Sequence, residues 1–325
     1  MVRNITLKTQ ISALFLCLSI TAGMAQCSDF DGSTMNATSI GPKAVWRTDY
    51  PDRPEEKDVS WLNVDFKKDP KKYMRQILQS ARTGFSIKEK RLVGSGDEQW
   101  WASPWMDFTD AGRERNMGLT KERGPHKGDL AKNSPGTSQV WAVGFYNEPG
   151  AAIFGDIYED PCNPFLPVAL QFPKETVSIK FLFTDADPKI VTYLASAPEF
   201  EAWIDTEKNN AKSKRPPKER MLKTVRLLQF DIAAKDERAE TDWVFATFAW
   251  MGPRKGDGFF DNLVPVSLQW GNDPKVYNQE IVESWINPSL KGIIYGWDAR
   301  STLGFPMVMA RLTTSRLARS LAEGA

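Results

Sequence analysis

From residue 138 onward, apolar residues recur at every second position, and this pattern limits the fold more than any other feature of the chain. Trp141, Val143 and Phe145 alternate with smaller residues, and Val177, Ile179, Phe181 and Phe183 alternate with Ser178, Lys180 and Leu182. Leu228, Phe230 and Ile232 repeat the pattern, as do Val264, Val266, Leu268 and Trp270. Successive side chains of a strand point to opposite faces, so each stretch predicts a strand with one buried face. Residues 243–250 (WVFATFAW) are apolar on both faces, as in a central strand covered on each side. Turn sequences separate these stretches: Asn147-Glu148-Pro149-Gly150, Asp185-Ala186-Asp187-Pro188 and Gly256-Asp257-Gly258. The expected fold class is mainly β, an antiparallel β-sandwich with an N-terminal helix and long loops.

The helix is legible at residues 70–82. Asp69 can cap it, Pro70 suits the first helical position, and Met74, Ile77, Leu78 and Ala81 recur at helical spacing until Gly84 ends the run. Residues 198–204 read as a short helix. Residues 205–220 (DTEKNNAKSKRPPKER) contain almost nothing apolar and read as a solvated insertion. The chain accordingly divides into a signal peptide (1–25), a flexible N-terminal segment (26–60), a sandwich domain (61–300) and an atypical tail (301–325).

Export is the expectation from the first segment. Arg3 and Lys8 precede an apolar run over residues 11–20, and Gly23-Met24-Ala25 places small residues where a signal peptidase reads them. The run is too short for a membrane span, and no later segment is longer, so no transmembrane span is expected. The mature protein would be periplasmic or secreted. Cys27 follows the apolar core closely enough to suggest a lipid anchor, but Met24-Ala25-Gln26 fits a lipoprotein signal poorly. Cleavage after Ala25 leaves Cys27 and Cys162, which either pair as a disulfide in an oxidising compartment or remain two separate thiols.

A formal net charge of +1 gives no electrostatic reason to expect nucleic acid as a partner. The chemistry-bearing residues are few. His126, the one histidine, lies in a loop sequence (RGPHKGD) and reads as a surface residue. No nucleophile motif marks a serine or cysteine hydrolase, and no metal site is expected. Asp156, Glu159 and Asp160 form an acidic stretch without calcium-loop spacing. The strongest candidate for ligand binding is the region of Trp101, Trp105, Asp107, Arg113 and Glu114, beside Trp100. Tryptophan faces stack on sugar rings while carboxylates bond hydroxyls, so this cluster would suit a glycan, as a binding site or as a carbohydrate-active one. The structural alternative is that the tryptophans are core residues and the arginines knit a loop to the body.

Six blocks carry a family resemblance: residues 101–107 (WASPWMD), 112–123 (GRERNMGLTKER), 140–147 (VWAVGFYN), 225–232 (VRLLQFDI), 243–248 (WVFATF) and 263–274 (LVPVSLQWGNDP). In this order they resemble a group of exported bacterial cytochrome-c-family proteins. The resemblance implies an electron-transfer setting, a periplasmic redox partner, and a haem c bound through Cys-x-x-Cys-His after the globular part. That segment is due soon after residues 296–300 (GWDAR), yet residues 301–325 hold neither cysteine nor histidine. A shifted reading frame and a true loss of haem binding account for this equally. No cofactor is therefore expected for this chain, and a binding or accessory module is expected ahead of an enzyme.

Overall fold

Helix α1 (Pro70–Arg82) forms where the local signals place it. The Asp69 carboxylate accepts the Lys72 N–H at 3.0 Å, and the Asp69 carbonyl accepts the Tyr73 N–H, so the first turn is capped from both ends of one residue. Its buried stripe is Tyr73, Met74, Ile77 and Ala81, with Leu78 at the margin. A single 3-10 turn, Ser60–Asn63, precedes it. This description comes from a computed structural model and covers residues 50–82, 84–88, 91–94, 100–102, 108–109, 112–113, 120–122, 124–159, 165–205, 220–252, 258–271 and 282–290.

After α1 the chain makes a hairpin, β1 (Phe85–Lys88) and β2 (Arg91–Gly94), then the short strands β3 (Trp101–Ala102), β4 (Phe108–Thr109), β5 (Gly112–Arg113) and β6 (Thr120–Glu122). Strand β7 (Val140–Tyr146) leads into helix α2 (Glu148–Ile157). The remainder is strand: β8 (Val177–Thr184), β9 (Glu199–Asp205), β10 (Arg220–Lys235), β11 (Trp243–Trp250), β12 (Leu263–Gln269) and β13 (Ser284–Ile286). Nine of these form one antiparallel sheet in the order β13-β12-β11-β10-β8-β7-β3, with β6 also on β7 and β9 also on β10. The fold is mainly β and antiparallel, as the period-two stretches predict. Among the described residues, β1–β2 and β4–β5 are separate two-stranded pairs, so α1 and the β1–β2 hairpin, and no second broad sheet, pack on the main sheet.

Three local readings are corrected. Residues 199–205 are strand β9, paired with the first half of β10 from Asp205 opposite Arg220 to Glu199 opposite Arg226. Phe200 is buried, against Phe183. The polar stretch after β9 thus joins two paired strands, and residues 206–219 lie outside the described residues. The Asn147 turn is the start of α2: Asn147 occupies the cap position, and its carbonyl accepts the Ala151 N–H. A proline in the first turn of a helix and a proline in a loop look alike in sequence. Finally, residues 50–58 of the expected flexible segment are anchored, with Arg53 on Asp156 at 2.7 Å and the Lys57 N–H on the Glu175 carboxylate.

Strands β7 and β8 are buried along their whole length, on both faces. One face is aromatic. Phe181 sits among Phe85, Phe145 and Phe230, with ring centroids 5.2, 6.3 and 4.7 Å away. Such a ring contributes about 1.5–3 kcal/mol on burial, before the gain from edge-to-face geometry. A register shift between Thr247 and Phe248 divides β12 between the faces. Val264 and Val266 pack with Ala249 and Leu290 on one side, and Leu268 joins the aromatic side. The four residues read as one face therefore belong to two. Among the described residues, no helix is long and apolar enough to cross a membrane.

Candidate functional site

The other face of the sheet is where the chemistry collects. Lys180 on β8 lies opposite Gly144 on β7 and Asp231 on β10; Asp231 lies opposite Thr247 on β11, and Thr247 opposite Ser267 on β12. Directly paired residues of antiparallel strands share a face, so these side chains form one row across four strands. The row is buried: Lys180 is 3 % exposed and Asp231 5 %. The sequence pattern assigned Ser178 and Lys180 to a solvated face, and both lie inside.

Two separate sets of contacts hold these groups. The Lys180 Nζ lies 2.5 Å from Oε1 of Glu122, itself buried on β6. To reach it, Lys180 crosses β7 beside Ala142 and Gly144, whose small size leaves the path open. Asp231 is held by donors: the Gln229 side-chain amide donates to Oδ1 at 2.7 Å and Oδ2 at 2.9 Å, and the Thr247 hydroxyl donates to Oδ1 at 2.9 Å. Burying two carboxylates and one ammonium is costly unless each finds a partner: Glu122 pairs with Lys180, and Asp231 takes its bonds from Gln229 and Thr247. Chemically, the row offers an amine, a carboxylate in contact with it, and a second carboxylate whose oxygens are polarised by donors.

A second cluster, with Tyr73 and Asp236 buried and Arg238 at the surface, joins elements. Arg238 grips Asp236 with two parallel bonds, Nε to Oδ1 at 2.8 Å and Nη2 to Oδ2 at 2.6 Å. The Tyr73 hydroxyl adds a third bond to Asp236, and the Arg238 guanidinium lies 5.4 Å from the Phe66 ring centroid. Burial, and then the Asp236 charge, push the Tyr73 phenol well above its ordinary range. This cluster binds α1 to the β10–β11 turn.

The residues expected to bind a ligand fare differently. Trp101 is 1 % exposed, packed with Tyr146 and Ala151, so its ring offers no face for a sugar. Trp100 belongs to the aromatic core with Phe85. The two rings do not line one cleft; they fill separate clusters, as the structural alternative has it. Arg113 lies in β5, paired with Phe108 of β4, while Trp105, Asp107 and Glu114 lie outside the described residues. So do Cys27 and Cys162. His126 is exposed and turns on Asp129, whose carboxylate accepts its backbone N–H at 2.7 Å and lies 3.3 Å from Nδ1. Asp156 is engaged by Arg53. Among the described residues, no group of histidine, cysteine and acidic side chains is placed to hold a metal ion. The chain's residues also do not fit haem c, since no Cys-x-x-Cys-His occurs in the sequence and its one histidine is the exposed His126.

The polar row escaped the sequence reading because its members come from residues 122 to 267 and only strand register gathers them. A usable signal was present: Lys180 stands between Ile179 and Phe181, and Asp231 between Phe230 and Ile232, each a charge flanked by large apolar residues in a strand. Comparisons with protein-family models, with curated proteins and with solved structures found no match.

Proposed function

We propose that this protein is an exported binding or accessory module, related to the non-haem body of the cytochrome-c-family proteins that its sequence blocks resemble. One observation carries this reading. The described residues of the six blocks fall in β3, β5, β6, β7, β10, β11 and β12, which apart from β5 belong to one sheet with only β8 interposed. Resemblance confined to one contiguous body is what descent of a folded unit predicts, whereas chance matches would scatter over surface loops. The burial of Trp100 and Trp101 weighs against the glycan reading. Export rests on Arg3, Lys8, the apolar run over residues 11–20 and Gly23-Met24-Ala25. Such a module would act by contact with a redox protein of the same compartment and would itself carry no haem.

The test is expression of the full chain in a bacterium that exports and matures c-type cytochromes, followed by fractionation, intact-mass measurement and crosslinking in the cell. The expected result is periplasmic protein beginning at Gln26 that forms a crosslinked adduct staining for haem. Cytoplasmic protein retaining Met1 would sink the reading, as would the absence of any haem-staining adduct from periplasmic protein.

A further inference from the structure

We propose that the loop after α2 docks this protein on a lipid bilayer, with Phe165, Leu166 and Val168 entering the boundary between headgroups and acyl chains. The inference does not rest on the function above. Three observations lead to it: the exposure of these side chains, the uncharged stretch that carries them, and the way the fold holds the loop out.

Single apolar residues are ordinary on a protein surface, but here large ones crowd together. Phe165 is 70 % exposed, Leu166 44 % and Val168 108 %, so the protein covers none of Val168. Residues 165–173 (FLPVALQFP) contain no charged side chain. The loop is not a frayed end. The Phe165 N–H donates to the Ile157 carbonyl at the end of α2 across 2.9 Å. At the other side, Phe172 stacks on Tyr146 and meets Trp243, with ring centroids 5.9 and 5.6 Å away. Held at both ends, the residues between them project instead of folding back on the body, and contiguous exposed apolar groups mark a contact surface.

A projecting tip suits a bilayer, which yields to any shape, whereas a protein partner would need a matching pocket. Lipid cannot bond a backbone N–H, and Pro167 and Pro173 remove two such donors from the loop. Entry to a depth of about 5–10 Å keeps the remaining donors within reach of headgroups. Tyr158 and Trp243, half-buried at the base of the loop through Phe154 and Phe172, are of the ring types that settle at headgroup level. The charges beside the loop cancel, since Arg53 pairs with Asp156 and Lys174 with Glu56. Apolar burial, and not attraction to anionic headgroups, therefore drives the contact.

Photocrosslinking with phosphatidylcholine vesicles tests this at a single position. Benzoylphenylalanine is placed at Val168 in the purified full chain or, for comparison, at Lys189, which is exposed beyond the opposite end of β8. Illumination should give a lipid adduct that peptide mass places on residue 168, and little or none on residue 189. The yield should not rise with added phosphatidylglycerol or fall in high salt. Phe165→Ser together with Leu166→Ser, folded by circular dichroism, should cut the yield at 168 by about tenfold or more. No lipid adduct at 168, or equal adducts at 168 and 189, would overturn the proposal. So would a protein–protein adduct at 168 in place of lipid, which would give the loop to a second copy. A yield that needs anionic lipid and falls in salt would place the contact on cations and overturn it as well. A yield undiminished by the double substitution would overturn the role given to Phe165 and Leu166.

Discussion

The phenolic hydroxyl of Tyr73 donates to Asp236 across 2.9 Å in the protein interior, tying the first turn of α1 to the turn between β10 and β11 over 163 residues of sequence. Hydrogen bonds to a charged partner contribute about 1.5–3 kcal/mol when buried. Tyr73→Phe removes the donor and keeps the ring against Phe66, so it isolates this bond from packing. Because Asp236 retains both Arg238 bonds, the loss should fall at the lower end of that range. Urea unfolding should show an earlier midpoint with the same slope; an unchanged midpoint would mean that water or Arg238 fully replaces the hydroxyl.

Alkaline pH should destabilise the protein through its buried phenols. Burial pushes the Tyr146 phenol up to about 12, partly opposed by its hydrogen bond with Ser178, and burial places Tyr73 higher still. In the unfolded chain both ionise near pH about 10. Above that value the unfolded state binds fewer protons than the folded state, so stability falls as pH rises. The Tyr146 contribution is complete below pH about 10 and is lost progressively up to about 12. Unfolding free energies measured across this window should slope downward, less steeply in Tyr146→Phe; a flat profile would remove the assignment.

Phe181→Ala should be among the most damaging single substitutions. The side chain is fully buried among Phe85, Phe145, Phe183, Phe230 and Phe259, on a central strand whose backbone cannot collapse into the void. The cost expected for a phenylalanine in such a site is about 3–5 kcal/mol. Thermal unfolding should show this directly, and a loss under 1 kcal/mol would mean that neighbouring rings refill the space.

Gly84 follows α1 because Trp100 lies against it: a Cβ at this position would overlap the indole Nε1 and Cδ1. Gly84→Ala should therefore cost about 1–3 kcal/mol by overpacking. In a Trp100→Ala background the same substitution should cost much less, since the obstructing ring is gone. Equal costs in the two backgrounds would show that backbone conformation at Gly84, and not the ring, is responsible.

Export and haem chemistry rested on short runs of residues, and so did helix α1. Asp69, Pro70 and the spacing of Met74, Ile77 and Ala81 act over a few residues, and the helix appears at 70–82 with those side chains inside. Strand positions near Val143, Ile179, Phe230 and the 243–250 stretch were equally legible, because alternation is a property of the strand itself. Where a local pattern had two meanings, the sequence reading chose the wrong one. Pro149 after Asn147 opens a helix as readily as a turn, and residues 199–205 are too short a run for period to separate strand from helix.

The sequence by itself determined which residues form α1 and which stretches are strands, since caps, proline and side-chain alternation act through neighbours along the chain. Tertiary structure decided what those strands cover. Lys180 and Asp231 occupy positions that alternation assigns to solvent, and they are buried because both faces of the central strands are packed. Their pairing depends on register between strands far apart in sequence, and a slip of one residue would send each to the opposite face. The same reason accounts for Trp101. Whether a tryptophan stacks on a ligand or on Tyr146 is set by what the fold brings against it, and here β7 and α2 close over the ring.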